Sequence, residues 1–433
     1  MSGPPTVAAR SVRRWWLLVS LIALGALVIR VVYVLAVSRH VPLGADATWY
    51  FLQRGSIYDG AGYIDPAARF ASGAEVATAN FPPMYPVLLA VVRAVAGESQ
   101  TAAMLAGAPM GALTVVLTAL LARRLIDPVT ALVAAVVVAV DPMLIAADGS
   151  LMSEVLYVPS VVLATLLALQ AGETGRWWRW GLLGFVCGLA ALTRQEALLL
   201  LVVLVAPILW WSKLPVRTRV GGVIATAVVT ALVVAPWVAR NQREVGEASI
   251  STVSPATAWA GANCDVTYGG PSIGSWEFAC TRTEDRTRLR ESDWDRELRS
   301  GALTYARDHA RRLPLVLPAR ELRVWGLWSP TDLVPRNAVE TRSEGFEWLV
   351  WVAGLVTLIG GVAGLVGLRR TGRQIVVLAG PLAIVAITAV VSYGNPRFRT
   401  VAEPVLAIGL AALLARGWSS LPARADRVVD QPA

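Results

Sequence analysis

Ten apolar stretches of this chain are long enough, or nearly so, to cross a bilayer, and that repetition narrows the possible folds to one class. They are 15–37, 101–122, 129–147, 153–171, 180–194, 196–211, 220–238, 347–368, 374–393 and 399–416. A hydrocarbon core about 30 Å thick takes roughly 20 residues per helix. Inside it every backbone N–H and C=O must be bonded within the protein, which helices achieve segment by segment. With 55% hydrophobic residues among 433, the chain reads as an all-α polytopic membrane protein of about ten transmembrane helices.

The net charge of +9 follows from topology and does not point to nucleic acid. The basic residues fall in short clusters between apolar runs: Arg10/Arg13/Arg14, Arg123/Arg124, Arg176/Arg179, Lys213/Arg217/Arg219, Arg369/Arg370/Arg373 and Arg416/Arg424/Arg427. Positive-inside bias places such clusters on the cytoplasmic side. They share a side only if Met84–Ala96, about 13 residues with Arg93 inside it, does not cross. It is therefore expected as an in-plane or re-entrant helix. Residues 1–14 form a cytoplasmic N-terminus, 15–238 a transmembrane module, 347–416 the last helices and 417–433 a cytoplasmic tail. The first run is too long for a signal peptide and has no small-residue cleavage site after it, so it is read as a retained helix.

This topology leaves two long outer loops, 38–100 and 239–346. The first carries Asp46 beside Trp49, Tyr50, Tyr63 and Tyr85. The second turns strongly charged between Glu284 and Arg312, which suits one or two surface helices, and then runs LPLVLPARELRVWGLWSP, expected to lie on the membrane surface. Cys264 and Cys280 share the second loop on the oxidising side and are expected to pair, two free thiols being the alternative. Cys187 lies in a span and reads as core packing. Three cysteines and two histidines supply no cluster with zinc spacing and little for a Ser or Cys nucleophile paired with His.

Along the chain stand Gly44-Ala45-Asp46, Gly60-Ala61-Gly62-Tyr63, Phe81-Pro82-Pro83-Met84-Tyr85-Pro86, Asp141-Pro142, Glu154, Leu192-Thr193-Arg194, Pro236-Trp237, Arg240-Asn241, Gly261-Ala262-Asn263, Asn395-Pro396-Arg397-Phe398-Arg399 and Glu403-Pro404. In this order and sidedness they resemble the GT-C superfamily of membrane glycosyltransferases. Within it the likeness is to the family 39-like enzymes related to protein O-mannosyltransferases and lipid A aminoarabinose transferases. It extends over nearly the whole chain. Two departures are the Ala45 that stands before Asp46 and the lack of the large C-terminal domain that many relatives carry.

The resemblance implies a GT-C-like fold with in-plane helices in the two outer loops. It also implies transfer of a sugar, mannose or arabinose, from a polyprenyl-phosphate donor to a hydroxyl on a glycan, glycolipid or protein at the outer face, with inversion. Asp46 matches the family's first-loop acid and is the expected general base, since a carboxylate within reach of an acceptor hydroxyl can take its proton; the competing reading is a helix cap. Glu154 matches a second acid, to orient the acceptor or, with Asp46, to hold a divalent cation (Mg or Mn); ordinary acidity at a helix start competes. Arg397 and Arg399, followed by Arg240, are expected to hold the donor phosphate through their planar forks, against plain snorkelling at helix ends. Tyr50, Tyr63, Tyr85 and Asn263 are the expected substrate-binding residues.

Arg30, inside the first run, needs a partner; Glu154, Glu196 and the donor phosphate are the candidates, whereas Arg194 and Glu196 are placed to pair with each other. Trp177, Trp178, Trp180, Trp210 and Trp211 fit an interfacial aromatic belt. A transporter or lipid flippase is the competing class. It tends to place ionisable residues near the midplane in paired, broken helices, whereas here they gather at the outer ends of the runs. A non-catalytic relative is the other alternative.

Overall fold

Aspartate followed by proline divides the apolar sequence into helices. In the computed structural model, which describes residues 7–281, 290–369 and 372–419, Asp127 accepts from the N–H groups of Val129 and Thr130 and Pro128 takes the first helical position. Asp141 does the same through Leu144, with Pro142 following. Each pair starts a helix and blocks the one before it.

The chain runs through α1 (Val7–Ala36), α2 (Ala45–Tyr58), α3 (Pro66–Ser72), α4 (Met84–Ala96), α5 (Gln100–Leu105), α6 (Gly107–Leu125), α7 (Pro128–Val140), α8 (Pro142–Gly149), α9 (Glu154–Thr174) and α10 (Trp177–Ala191). It continues through 3₁₀ and π turns into α11 (Ile208–Trp211), then α12 (Val216–Glu244), α13 (Val253–Ala262), α14 (Glu291–Asp308), α15 (Leu313–Val324), α16 (Pro330–Ala338), α17 (Glu344–Leu368), α18 (Ala379–Val391) and α19 (Glu403–Ser419). The β-structure among the described residues is one isolated bridge, Ile64 with Ala77. Among the described residues six helices are long and apolar enough to span a membrane, or seven if α7 and α8, bent by 51°, count as one. The remaining apolar runs become shorter helices: α4, α10, the irregular segment Gln195–Trp211, and Ile375–Val391.

The spans differ in what surrounds them. The apolar windows of α9 and of Pro396–Arg416 are 78% and 72% buried, against 28% for the first span and 22% for α12. α9 and α19 are thus the centre, while α1, α12 and α17 turn apolar faces outward. Small residues set the close approaches: a Cβ on Gly364 of α17 would stand 1.8 Å from the Gly409 carbonyl of α19.

Several expectations change. The run 129–147 is two helices, because Asp141 and Pro142 break it. Arg30 pairs with Asp148, not with Glu154 or Glu196. Trp180 and Trp211 belong to the core, packed against Gly222 and Gly172, whereas Trp177, Trp178 and Trp210 are exposed. In α15 Arg320 and Arg323 turn inward onto backbone carbonyls and Leu315 and Leu322 turn outward. α4 forms with the expected bounds, spans about 20 Å at 1.5 Å per residue, and packs on α2. The pairing of Cys264 with Cys280 is present. Arg370, Arg424, Arg427 and the start of the charged stretch at Glu284 lie outside the described residues.

Candidate functional site

The tight link between α18 and α19 creates the site. Asn395 accepts from the N–H of Arg397 at 2.9 Å, and Pro396 opens a 3₁₀ turn over Pro396–Ala402. The turn drives the Arg397 side chain into the protein, where it is 6% exposed. Its Nε donates to Glu154 Oε1 at 2.5 Å. Its Nη1 lies 3.3 Å from Asp46 Oδ2 and 3.1 Å from Glu340 Oε2.

Three distant segments therefore converge on one guanidinium. Asp46 comes from the first turn of α2 and Glu154 from the first residue of α9, where a carboxylate also favours the helix dipole. Glu340 comes from the link between α16 and α17. That link is tied to the start of α2: the Gly44 N–H donates to Thr341 Oγ1 at 2.7 Å, and a Cβ on Gly44 would stand 2.4 Å from the Val339 carbonyl. Arg194, just past α10, adds a second cation, with Nη1 2.7 Å from the same Glu154 Oε1 and Nε on Glu196. Burial raises the Glu340 carboxyl above its ordinary range, and the Asp46 charge adds to the rise while Arg397 opposes it.

Beside the cluster lies a narrow cavity of about 10 Å³, room for roughly one water molecule. Arg194, Arg397 and Glu154 line its charged end, and Phe398, Val385 and Val401 its apolar wall. Glu154 Oε2, the Tyr157 hydroxyl and Thr388 Oγ1 are buried without hydrogen-bond partners, and all three residues line this cavity.

Of the residues expected from the sequence, Asp46, Glu154 and Arg397 meet. Others are engaged elsewhere. Arg399 pairs with Glu403 at 2.5 Å and donates to the carbonyls of Gly354 and Trp325, facing α17. Arg240 donates to the carbonyls of Thr78 and Tyr63. The Asn263 Oδ1 accepts from Tyr268 and Arg320. Tyr50, Tyr63 and Tyr85 are buried in the first loop: Tyr50 packs on Tyr85 at 5.0 Å between ring centroids, and Tyr63 on Trp237 at 4.8 Å. The half-buried Trp49 bridges Tyr50, Tyr63 and Phe81.

Sequence reasoning missed Glu340, which stands in no recognisable pattern, and gave Arg194 only its partner Glu196. The signal for Arg194 was the Leu192-Thr193-Arg194 motif itself.

Asp46 Oδ2 and Glu154 Oε1, the carboxylates expected to hold a divalent cation, both lie on Arg397, a fixed positive charge, and among the described residues no group of three His, Cys, Asp or Glu is placed to hold a metal ion.

Residues 80–239 match the model of the dolichyl-phosphate-mannose-protein mannosyltransferase family, a stretch that includes Glu154 and Arg194. No curated protein matches the chain. Among solved structures it is similar to the archaeal oligosaccharyltransferase AglB from Archaeoglobus fulgidus in complex with an inhibitory peptide and a dolichol-phosphate. The TM-score is 0.53 at 14% identity, covering 95% of this chain and 52% of that one. The same enzyme tethered to an acceptor peptide gives 0.52 at 15% identity, covering 94% and 50%. ArnT from Cupriavidus metallidurans bound to undecaprenyl phosphate gives 0.43 at 16% identity, covering 93% and 79%. The chain thus spans about half the length of the oligosaccharyltransferase it matches. Its helical architecture and its likeness to the mannosyltransferase family model over residues 80–239 lead to one assignment: the chain is a multi-pass membrane protein with the fold of the oligosaccharyltransferase AglB.

Proposed function

We propose that this chain transfers a sugar from a polyprenyl-phosphate donor to an acceptor hydroxyl at the extracytoplasmic face, by a single inverting displacement. The observation that carries the reading is the convergence of Asp46, Glu154 and Arg397. In the step, the acceptor oxygen bonds to the anomeric carbon while the bond from that carbon to the phosphate oxygen breaks, and the phosphate leaves with the electron pair. The acceptor proton passes to Asp46, whose side chain is 32% exposed and so open to an acceptor. Arg397, assisted by Arg194 on the other side of Glu154, holds the phosphate and stabilises its growing charge. Glu154, 3% exposed between the two arginines, orients both.

The family match favours mannose, with arabinose the other candidate; a glycan, glycolipid or protein is the acceptor class. The test is release of polyprenyl phosphate from lipid-linked sugars by purified protein. Release that depends on acceptor and on Asp46 supports the reading, and no release with either sugar across the acceptor classes overturns it.

A further inference from the structure

Arg397 presents one nitrogen, Nη1, to two carboxylates at once, Asp46 at 3.3 Å and Glu340 at 3.1 Å. Those two side chains are 32% and 22% exposed, whereas Glu154 on Nε is 3% exposed. An anion arriving from outside meets Nη1 first. It cannot bind there while both carboxylates remain, because like charges at this distance repel. Around the two guanidinium groups of Arg194 and Arg397 stand Asp46, Glu154, Glu196 and Glu340, so carboxylates outnumber cations before any substrate enters.

The backbone next to Glu340 is strained. Thr341, next to it, has φ of 63°, a left-handed conformation that is rare for a β-branched residue. The same residue accepts from the Gly44 N–H, so the segment bearing Glu340 is tied to the start of the helix bearing Asp46. The two acids are coupled through the backbone as well as through Arg397.

We propose that Glu340 is an internal competitor for the donor phosphate: its carboxylate stands on Arg397 Nη1 until the phosphate takes that place, and the exchange also frees Asp46 to act as base. The inference rests on the reading of Arg397 as the phosphate ligand. The charged and titratable groups facing Glu340 are Arg397 from the 3₁₀ turn, Asp46 from α2, Glu154 from α9, Arg342 from its own segment and the Tyr393 phenol. Protonation of Glu340 loosens its hold on Arg397, so donor affinity rises as pH falls.

The experiment titrates purified wild type, Glu340→Gln and Arg397→Gln in nanodiscs with a polyprenyl phosphodiester analogue, whose single charge is constant between about pH 5 and 8. Glu340→Gln is expected to tighten binding roughly five-fold near neutral pH, the scale of one partly exposed ion pair, and to lose the part of the pH dependence present in wild type. Equal binding by wild type and Glu340→Gln, with Arg397→Gln weakened, overturns the inference and leaves the phosphate reading standing. Unchanged binding by Arg397→Gln overturns both. Should Glu340→Gln not fold, Glu340→Asp, one methylene shorter and withdrawn from Nη1, must tighten binding in the same direction; unchanged affinity in that variant also overturns the inference.

Discussion

Arg30 and Asp148 meet inside the helix bundle, with the arginine Nε donating to Oδ2 at 2.5 Å. The remaining guanidinium nitrogens donate to the carbonyls of Ala139 and Val138, at 3.1 and 3.4 Å, where α7 ends at the Asp141-Pro142 break. Arg30 thus serves as a cap for carbonyls that have no water to bond, and Asp148 neutralises it. Removing one member of a buried pair leaves an uncompensated charge and typically costs about 3–5 kcal/mol. Arg30→Met and Asp148→Asn are each expected to destabilise by that order, and the pair of changes together by less than the sum. Unfolding of the four proteins in detergent checks this as a double-mutant cycle.

Asp46 does not cap α2, whose N-cap is Gly44, and Asp46→Asn keeps the side chain's shape but removes the proton acceptor. Turnover is expected to fall by roughly 10²–10⁴, the usual contribution of general-base assistance, with donor binding retained. Near wild-type turnover by the purified variant would remove Asp46 from the proton transfer and move the search to Glu340.

Arg397 and Arg399 are expected to separate in their effects. Arg397→Gln should weaken donor binding and, because Arg194 still holds Glu154, lower the unfolding midpoint less than Arg399→Gln does. Arg399→Gln leaves Glu403, which is 0% exposed, without its partner and strips donors from the Gly354 and Trp325 carbonyls, so it should lower the unfolding midpoint. Donor titration alongside thermal unfolding distinguishes the two, and weakened donor binding by a fully folded Arg399 variant would contradict this assignment.

The Cys264–Cys280 bridge closes a loop with a sequence separation of 16. In the chain-entropy account a loop of that size contributes about 3 kcal/mol. Peptide mapping without reductant should recover the two as one cross-linked species, and the Cys264→Ser/Cys280→Ser protein should unfold earlier. Quantitative alkylation of both thiols in the native protein would exclude the bridge.

Asp332 of α16 joins that helix to α15 through Arg323 and pairs within its own helix with Arg336. Burial pushes its carboxyl up, but hydrogen bonds from Arg336 and Arg323 outweigh it and hold the group below its ordinary range. A carboxyl lowered by folding contributes stability above its unfolded pKa of about 3.9, lost as pH falls through the folded value. Acid unfolding of the wild type should therefore show a component below about pH 4 that is missing from Asp332→Asn, as read by tryptophan fluorescence.

The apolar runs were legible in the sequence because lipid demands long apolar helices, but the break that Asp141 and Pro142 make within 129–147 was passed over, because hydropathy alone does not register a helix stop. Asp46, Glu154 and Arg397 were legible as members of motifs. Their contact was not, since Arg397 and Glu154 are 243 residues apart in the chain. The joint placement of Arg397 and Arg399 illustrates a different limit. In an extended hairpin, residues two apart share a face. In the 3₁₀ turn that forms, three residues complete a turn, so two apart they diverge by roughly 240°. One arginine enters the charged cluster and the other enters the interface with α17. Glu340 had no local pattern at all, because its position is set by Gly44 and Thr341 meeting across the fold.

The deep burial of α9 has a mechanical consequence. Glu154 sits at the tip of a helix that touches little besides protein, whereas α1 and α12 turn most of their apolar surface outward. Thinning or thickening of the bilayer acts on the outer helices first, by tilt. The tip of α9 is shielded from that load by a ring of neighbours. Reconstitution in lipids of graded chain length should accordingly shift the unfolding temperature more than the geometry around Arg397, and peripheral positions on α1 and α12 should accept exchanges among apolar residues that α9 would not.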